Sequence, residues 1–211
     1  MKVTKFGHCC LLIEEDGLRV LTDPGVYSEA QNEVTGINVV LITHEHQDHF
    51  HLDSMKEIIK NNPEVKIITN KAVGELLNKE EIPFSLVEDG QNLLEKGVLI
   101  EGFGDRHAVI HSSIPVIQNT GYMIANKLFY PGDALIKPSK PVEVLALPTA
   151  GPWLKVSEAV DYALQVKPRI CFAVHDAVLA HPEALNGIPQ RILAALGVRL
   201  DILDLKRTYE F

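Results

Sequence analysis

Six consecutive residues, His44-Glu45-His46-Gln47-Asp48-His49, hold three histidines and an aspartate directly behind the apolar, β-branched run Val39-Val40-Leu41-Ile42-Thr43. Side chains advance about 100° per residue around a helix, which would turn His44 and His46 about 200° apart, whereas positions i, i+2 and i+4 share a face in extended chain. His44, His46 and Asp48 therefore converge only where a strand runs on into an extended loop. Residues of these types at this spacing bind divalent cations, and the chemistry such ions serve is the activation of water for hydrolysis.

Further ligands are expected where strands end, because binding residues sit on loops carried by a rigid frame. His107 follows the strand-like Val98 to Phe103, Asp133 ends a hairpin, and His175 ends Arg169 to Val174. With the cluster this makes five histidines, two aspartates and no cysteine. That is too many donors for one tetrahedral zinc and suits two ions sharing a bridging carboxylate. Two cations bring a shared water toward ionisation at neutral pH and stabilise the oxyanion its attack creates, so no Ser-His-Asp set is required. No Gly-x-Ser-x-Gly elbow competes for the role. An all-nitrogen-and-oxygen donor set suits zinc, manganese and iron, with zinc the first expectation.

The elements that must carry these residues repeat. Cys10 to Glu14, a turn at Asp16-Gly17 and Leu18 to Leu21 read as a hairpin ending in Thr22-Asp23-Pro24-Gly25. Gly121 to Ala125, a turn at Asn126-Lys127 and Leu128 to Tyr130 read as a second one, ending in Pro131-Gly132-Asp133. Each is followed by strand, loop, helix and strand. The first copy is Val40 to Ile42, the histidine cluster, a helix from Ser54 to Lys60 opened by the capping box Ser54-x-x-Glu57, and Val65 to Thr69. The second is Val144 to Leu147, the loop Pro148 to Trp153, a helix from about Ser157 to Val166, and Arg169 to Val174. A near-constant offset separates Leu41 from Leu145, Ser54 from Ser157 and Pro63 from Pro168. Between the copies, Asn70 to Asn78 reads as a helix capped by Asn70, followed by strand-like Phe84 to Val87; near the end come a helix from Ile188 to Leu196, stopped by Gly197, and a last strand, Val198 to Leu203. Two such units, each needing a partner face, imply two packed sheets with helices outside, an α/β protein built as an αββα sandwich. The site then belongs at the loop edge where the halves meet.

With 211 residues, 46% hydrophobic and 23% charged, the chain fits one domain, 1–211. Its net charge of −8 offers no basic surface to a phosphate backbone, so nucleic acid is not an expected partner and a small-molecule substrate is. There is no apolar run near membrane-spanning length and no signal-peptide h-region, so no membrane is expected and a cytoplasmic location is the default. Cys9 and Cys10 are adjacent and Cys171 has no evident partner, which reads as reduced thiols rather than a disulfide framework.

On these residues the chain resembles the metallo-β-lactamase-fold hydrolases. The H-x-H-x-D-H run at 44 to 49, a later single histidine, Gly132-Asp133 and a final His175 stand in that family's order, and the resemblance spans essentially the whole chain. Phe6-Gly7-His8 before a hairpin, Thr22-Asp23-Pro24, His111-Ser112-Ser113 and a Gly-Tyr ahead of Pro131-Gly132-Asp133 look like the compact branch that includes the ascorbate 6-phosphate lactonases. The resemblance implies that His44, His46 and His107 hold one metal, that Asp48, His49 and His175 hold the other, and that Asp133 bridges. It further implies a metal-bridging hydroxide attacking an ester, lactone or phosphoester, with His44, His46 and Asp48 as catalytic residues and Asp48 orienting the water. His111, four residues beyond His107, competes for the third histidine position; His107 is favoured because it comes sooner after its strand. Asp23 reads as a partner that fixes a ligand histidine, or as a turn aspartate beside Pro24. His8 reads as reaching the pocket or as satisfied by backbone, and Trp153 as a wall of the cleft or as core. The rival functions are a non-catalytic, metal-stabilised binding or assembly module and a phosphodiesterase or nuclease of the same fold. Family resemblance also makes a homo-oligomer an option.

Overall fold

Strands β1 (Lys2–Gly7), β2 (Cys10–Glu15) and β3 (Leu18–Thr22) form an antiparallel run in the computed structural model, which describes residues 1–28 and 30–211. The turn between β2 and β3 has positive φ at both Asp16 (48°) and Gly17 (79°), the backbone twist that suits a two-residue hairpin loop. The chain then continues in parallel through β4 (Val39–Leu41), α1 (Leu52–Asn61), β5 (Lys66–Thr69), α2 (Lys71–Lys79) and β6 (Ser85–Leu86). After β7 (Asn92–Glu95) the same order recurs: β8 (Val98–Phe103), β9 (Gly121–Ile124) and β10 (Leu128–Tyr130) antiparallel, then β11 (Val144–Pro148), α3 (Val156–Val166), β12 (Ile170–Val174), α4 (Pro182–Ala195) and β13 (Arg199–Asp201) in parallel. A last strand, β14 (Thr208–Glu210), returns to pair with β1. The sheets are thus ordered β14-β1-β2-β3-β4-β5-β6 and β7-β8-β9-β10-β11-β12-β13, the same arrangement twice.

Alternation along β4 shows why its sequence is apolar throughout. Val39 and Leu41 join the core between the sheets with Leu11, Ile13, Tyr122, Ile124 and Phe172, while Val40 and Ile42 face outward onto Met55 and Ile58 of α1 and Val73 and Leu77 of α2. The outer face of the other sheet is covered in the same way, Leu145 and Leu147 meeting Val160 and Ala163 of α3 and Leu193 of α4. Four layers result, as expected. Each fully buried leucine or isoleucine contributes about 1.5–3 kcal/mol.

Several boundaries differ from the sequence reading. Helix α1 starts at Leu52 with His51 as its cap, so Ser54 lies inside the first turn with its Oγ 3.0 Å from His51 Nδ1; the metal loop closes on itself early, both His49 N and Phe50 N donating to His46 O. Helix α4 starts at Pro182 rather than Ile188, because proline is tolerated in the first turn, where its missing N–H has no partner to lose. The second hairpin turns at Ala125 and Asn126, both at positive φ. The last strand of the second half stops at Asp201. The helix capped by Asn70 and the strand after it complete the first half, matched by α4 and β13 in the second. The sequence reading does not include strands β7 and β14, both short edge strands: β7 forms a tight hairpin with β8 through the turn at Lys96-Gly97, whereas β14 pairs with β1 from the opposite end of the sequence. Among the described residues no helix is long and apolar enough to cross a membrane.

Candidate metal centre

Strands β1, β3, β4, β8, β10, β11 and β12 all run toward one rim, and loops at the carboxyl ends of such strands are where α/β sheets build sites. Loops from both sheets meet there. β4 delivers His44, His46, Asp48 and His49; β1 delivers His8; β3, Asp23; β8, His107; β10, Asp133; β11, Trp153; β12, His175. The loop after β4 is held by the turn after β3, where Val26 N donates to Gln47 O and His51 N to Pro24 O. Gly25 is needed at that contact: a Cβ there would lie 1.9 Å from Asp48 O.

The structure gathers the donors into two groups. His44, His46, His107 and Asp133 form one, and His8, Asp48, His49 and His175 the other; within each, one donor atom per residue lies within 4.8 Å of the rest. Asp133 reaches both groups, its Oδ1 being 3.1 Å from His49 Nε2 and its Oδ2 2.9 Å from His175 Nε2 and 3.4 Å from His107 Nε2. His111 is not among them: it is exposed, and its Nδ1 lies 2.7 Å from Ser113 Oγ.

Hydrogen bonds behind the donors set which nitrogen is bare. Asp23 accepts from Thr43 N through Oδ1 (2.8 Å), and from Thr43 Oγ1 (2.6 Å), His49 Nδ1 (2.6 Å) and the Tyr130 hydroxyl through Oδ2. Thr43 Oγ1 in turn accepts from His44 Nδ1 (3.0 Å), and Ala108 O accepts from His107 Nδ1 (2.6 Å). With Nδ1 donating to these partners, Nε2 is the nitrogen that His44, His49 and His107 turn inward, the one each can offer a metal. Those three atoms and Nε2 of His175 are buried and without any hydrogen-bond partner. His49 and His175 make none even at 2.9–3.1 Å from a carboxylate oxygen. Buried polar atoms are seldom left unpaired in native proteins, so so many converging here mark a space built for a cation. Imidazole and carboxylate donors in this number fit divalent metal ions.

Burial pushes His44 well below the ordinary histidine range, with neighbouring His49 adding to the effect, and it lowers His46 and His8, the latter to about 4. His49 goes the other way: Asp133 and Asp23 overcome its burial and raise it well above. Burial alone would raise Asp133, but His49 and His175 hold it well below the carboxylate range; Asp48, likewise opposed by burial, is drawn to about 2 by the hydrogen bond from His8 and by His49. Near neutral pH both carboxylates are therefore charged and His44 and His46 neutral, the forms in which they coordinate metal, while His49 has to give up its Nε2 proton to a bound cation.

Trp153 is buried, and its Nε1 donates to Asp133 Oδ2 at 2.8 Å, so it adjoins the donors rather than only filling core. Asp176, next to His175, turns away to pair with Lys5 Nζ at 2.6 Å, tying the rim of one sheet to the other. The sequence reading missed Thr43 and Tyr130. Both adjoin singled-out motifs, one just before His44 and the other just before Pro131-Gly132-Asp133, but nothing local shows that they meet at Asp23.

A family model described as a beta-lactamase superfamily domain matches residues 2–175. The chain belongs to this superfamily and has the metallo-β-lactamase fold. It is similar to Protein Rv0786c of Mycobacterium tuberculosis, 38% identical over 189 residues covering 87% of each chain, and to a UPF0173 protein of Pyrococcus furiosus, 27% identical over 185 residues covering 83% of each. Its fold is similar to that of Igni18, described as a novel metallo hydrolase from Ignicoccus hospitalis, with a TM-score of 0.80 at 18% identity over 100% of this chain and 98% of that one.

Proposed function

We propose that this protein is a dinuclear metal-dependent hydrolase of a small-molecule ester, lactone or phosphoester. The observation that carries the reading is the set of buried, unpartnered Nε2 atoms converging in two donor groups with Asp133 between them. His44, His46 and His107 would hold one ion and Asp48, His49 and His175 the other, zinc being the first candidate and manganese or iron the alternatives. Such ions supply an activated water and stabilise developing negative charge on the substrate. The chain's own residues do the rest. Asp23 and Thr43 keep His49 and His44 in one tautomer, and Trp153 pins Asp133 Oδ2. Only His46 and Asp48 among these donors retain appreciable exposure, Asp48 at 23% of its side chain, so water and substrate arrive over that edge and Asp48 is the carboxylate able to orient the water.

The relatives' naming as metallo hydrolases supports the reaction class, and the net charge of −8 supports a small substrate over nucleic acid. A cytoplasmic protein is the matching location.

A panel of carboxylic esters, lactones, phosphodiesters and thioesters tests the proposal. Turnover is expected to need metal, to vanish in His46→Ala and to return when metal is restored to the stripped wild type. Activity that survives complete metal removal would overturn it. Retained metal with no turnover of any class would favour a binding module instead, and turnover confined to nucleic acid would favour a nuclease.

A further inference from the structure

We propose that His8 is a positioning residue for the second ion, one that orients both Asp48 and His175 without itself being a ligand; this rests on the two-ion reading above. His8 sits at the end of β1, the strand that corresponds to β8 in the repeated half, whose loop supplies His107. The two histidines are prepared differently. His107 donates from Nδ1 to Ala108 O and leaves Nε2 bare. His8 spends its Nε2–H on Asp48 Oδ2 at 3.2 Å, and it is Nδ1 that has no partner. To act as a ligand through Nε2, His8 would have to move its proton to Nδ1, a buried position where nothing accepts it, which leaves a buried donor unpaired.

The backbone of His8 does a second task. His8 O accepts from His175 N at 3.2 Å, and the two rings lie with centroids 4.1 Å apart. Both residues have positive φ, 41° at His8 and 61° at His175, a conformation uncommon for a non-glycine residue. His8 is 1% exposed. One buried residue thus fixes a carboxylate oxygen of Asp48 through its side chain and the course of the chain at His175 through its main chain. It makes no hydrogen bond to His44, His46 or His107.

The test is stepwise metal binding by the full-length protein, stripped and titrated with Zn²⁺ against a chelator of known affinity, with stoichiometry read by mass spectrometry. His8→Ala is expected to bind the first ion as the wild type does and the second 10- to 100-fold more weakly, the usual effect of removing a partner behind a ligand. His8→Gln, whose amide can donate to Asp48 from a similar position but coordinates poorly, is expected to restore the second ion to within about threefold. Wild-type affinity for both ions in His8→Ala overturns the proposal, and so does a His8→Gln variant as weak as His8→Ala, which would make His8 a direct ligand. Should His8→Ala not fold, His8→Gln decides alone, a tenfold loss counting against. If the wild type itself binds a single ion, the two-ion reading fails first and this inference with it.

Discussion

Asp23→Asn is a change of one atom with a large expected effect. Oδ2 of Asp23 takes three hydrogens, from Thr43 Oγ1, His49 Nδ1 and Tyr130, and Oδ1 takes a fourth from Thr43 N, all in a fully buried setting. An asparagine must turn its NH₂ toward one of these positions, so at least one buried donor faces another donor; one such orphan costs about 1–3 kcal/mol of stability. If the amide nitrogen faces His49, the imidazole is rewarded for moving its proton to Nε2, which removes the lone pair aimed at the metal space. Losing a partner of this kind typically weakens metal binding 10- to 100-fold, or about 1.4–2.7 kcal/mol. Because Thr43 relays Asp23 to His44, both ions are expected to weaken, unlike the His8 variants, which should affect one. The assay pairs a chelator-competition titration with a urea unfolding curve on the stripped protein. Wild-type affinity for both ions together with an unchanged urea midpoint would refute the reasoning.

Three other perturbations have clear expected outcomes. Gly25→Ala puts a Cβ 1.9 Å from the backbone oxygen of Asp48, which no side-chain motion relieves; about 1–3 kcal/mol of stability and much of the metal content should be lost, by thermal unfolding and elemental analysis. Lys5→Met leaves Asp176 buried with only Asn186 for company and should cost about 3–5 kcal/mol in chemical denaturation; a change under about 1 kcal/mol would mean water already screens the pair. Cys9, Cys10 and Cys171 are buried, and burial raises all three thiols, Cys171 to about 12, so at pH 8 roughly one Cys171 in ten thousand is ionised. An aromatic disulfide reagent should find no fast-reacting thiol in the folded protein and three in denaturant; stoichiometric labelling of the native state would contradict that burial.

Much of the candidate site is legible in the sequence because the side chains that converge there are announced locally: a cluster of unusual spacing behind an apolar strand, then single histidines and an aspartate at the ends of other strands. The repeat was legible too, because Leu41 and Leu145, or Thr22-Asp23-Pro24 and Pro131-Gly132-Asp133, hold like places in like order. The hydrogen bonds behind the donors were not. Asp23 meets Tyr130 across more than a hundred residues, and Trp153 meets Asp133 from another loop, so neither contact leaves a pattern within any one segment. The choice between His107 and His111 likewise depends on the path of their loop, in which His107 N donates to Ile117 O and Ala108 N to Asp133 O, drawing the first histidine inward and leaving the second in solvent. Ser54-x-x-Glu57 misled because a good cap sequence three residues inside a helix looks the same as one at its start.

Anomalous diffraction from crystals of the metal-loaded protein, recorded on both sides of the metal's absorption edge, tests the central claim most directly. Two peaks are expected, one among His44, His46 and His107 and one among Asp48, His49 and His175, with Asp133 touching both. A single peak away from these side chains, or none while the protein still turns over substrate, would contradict it.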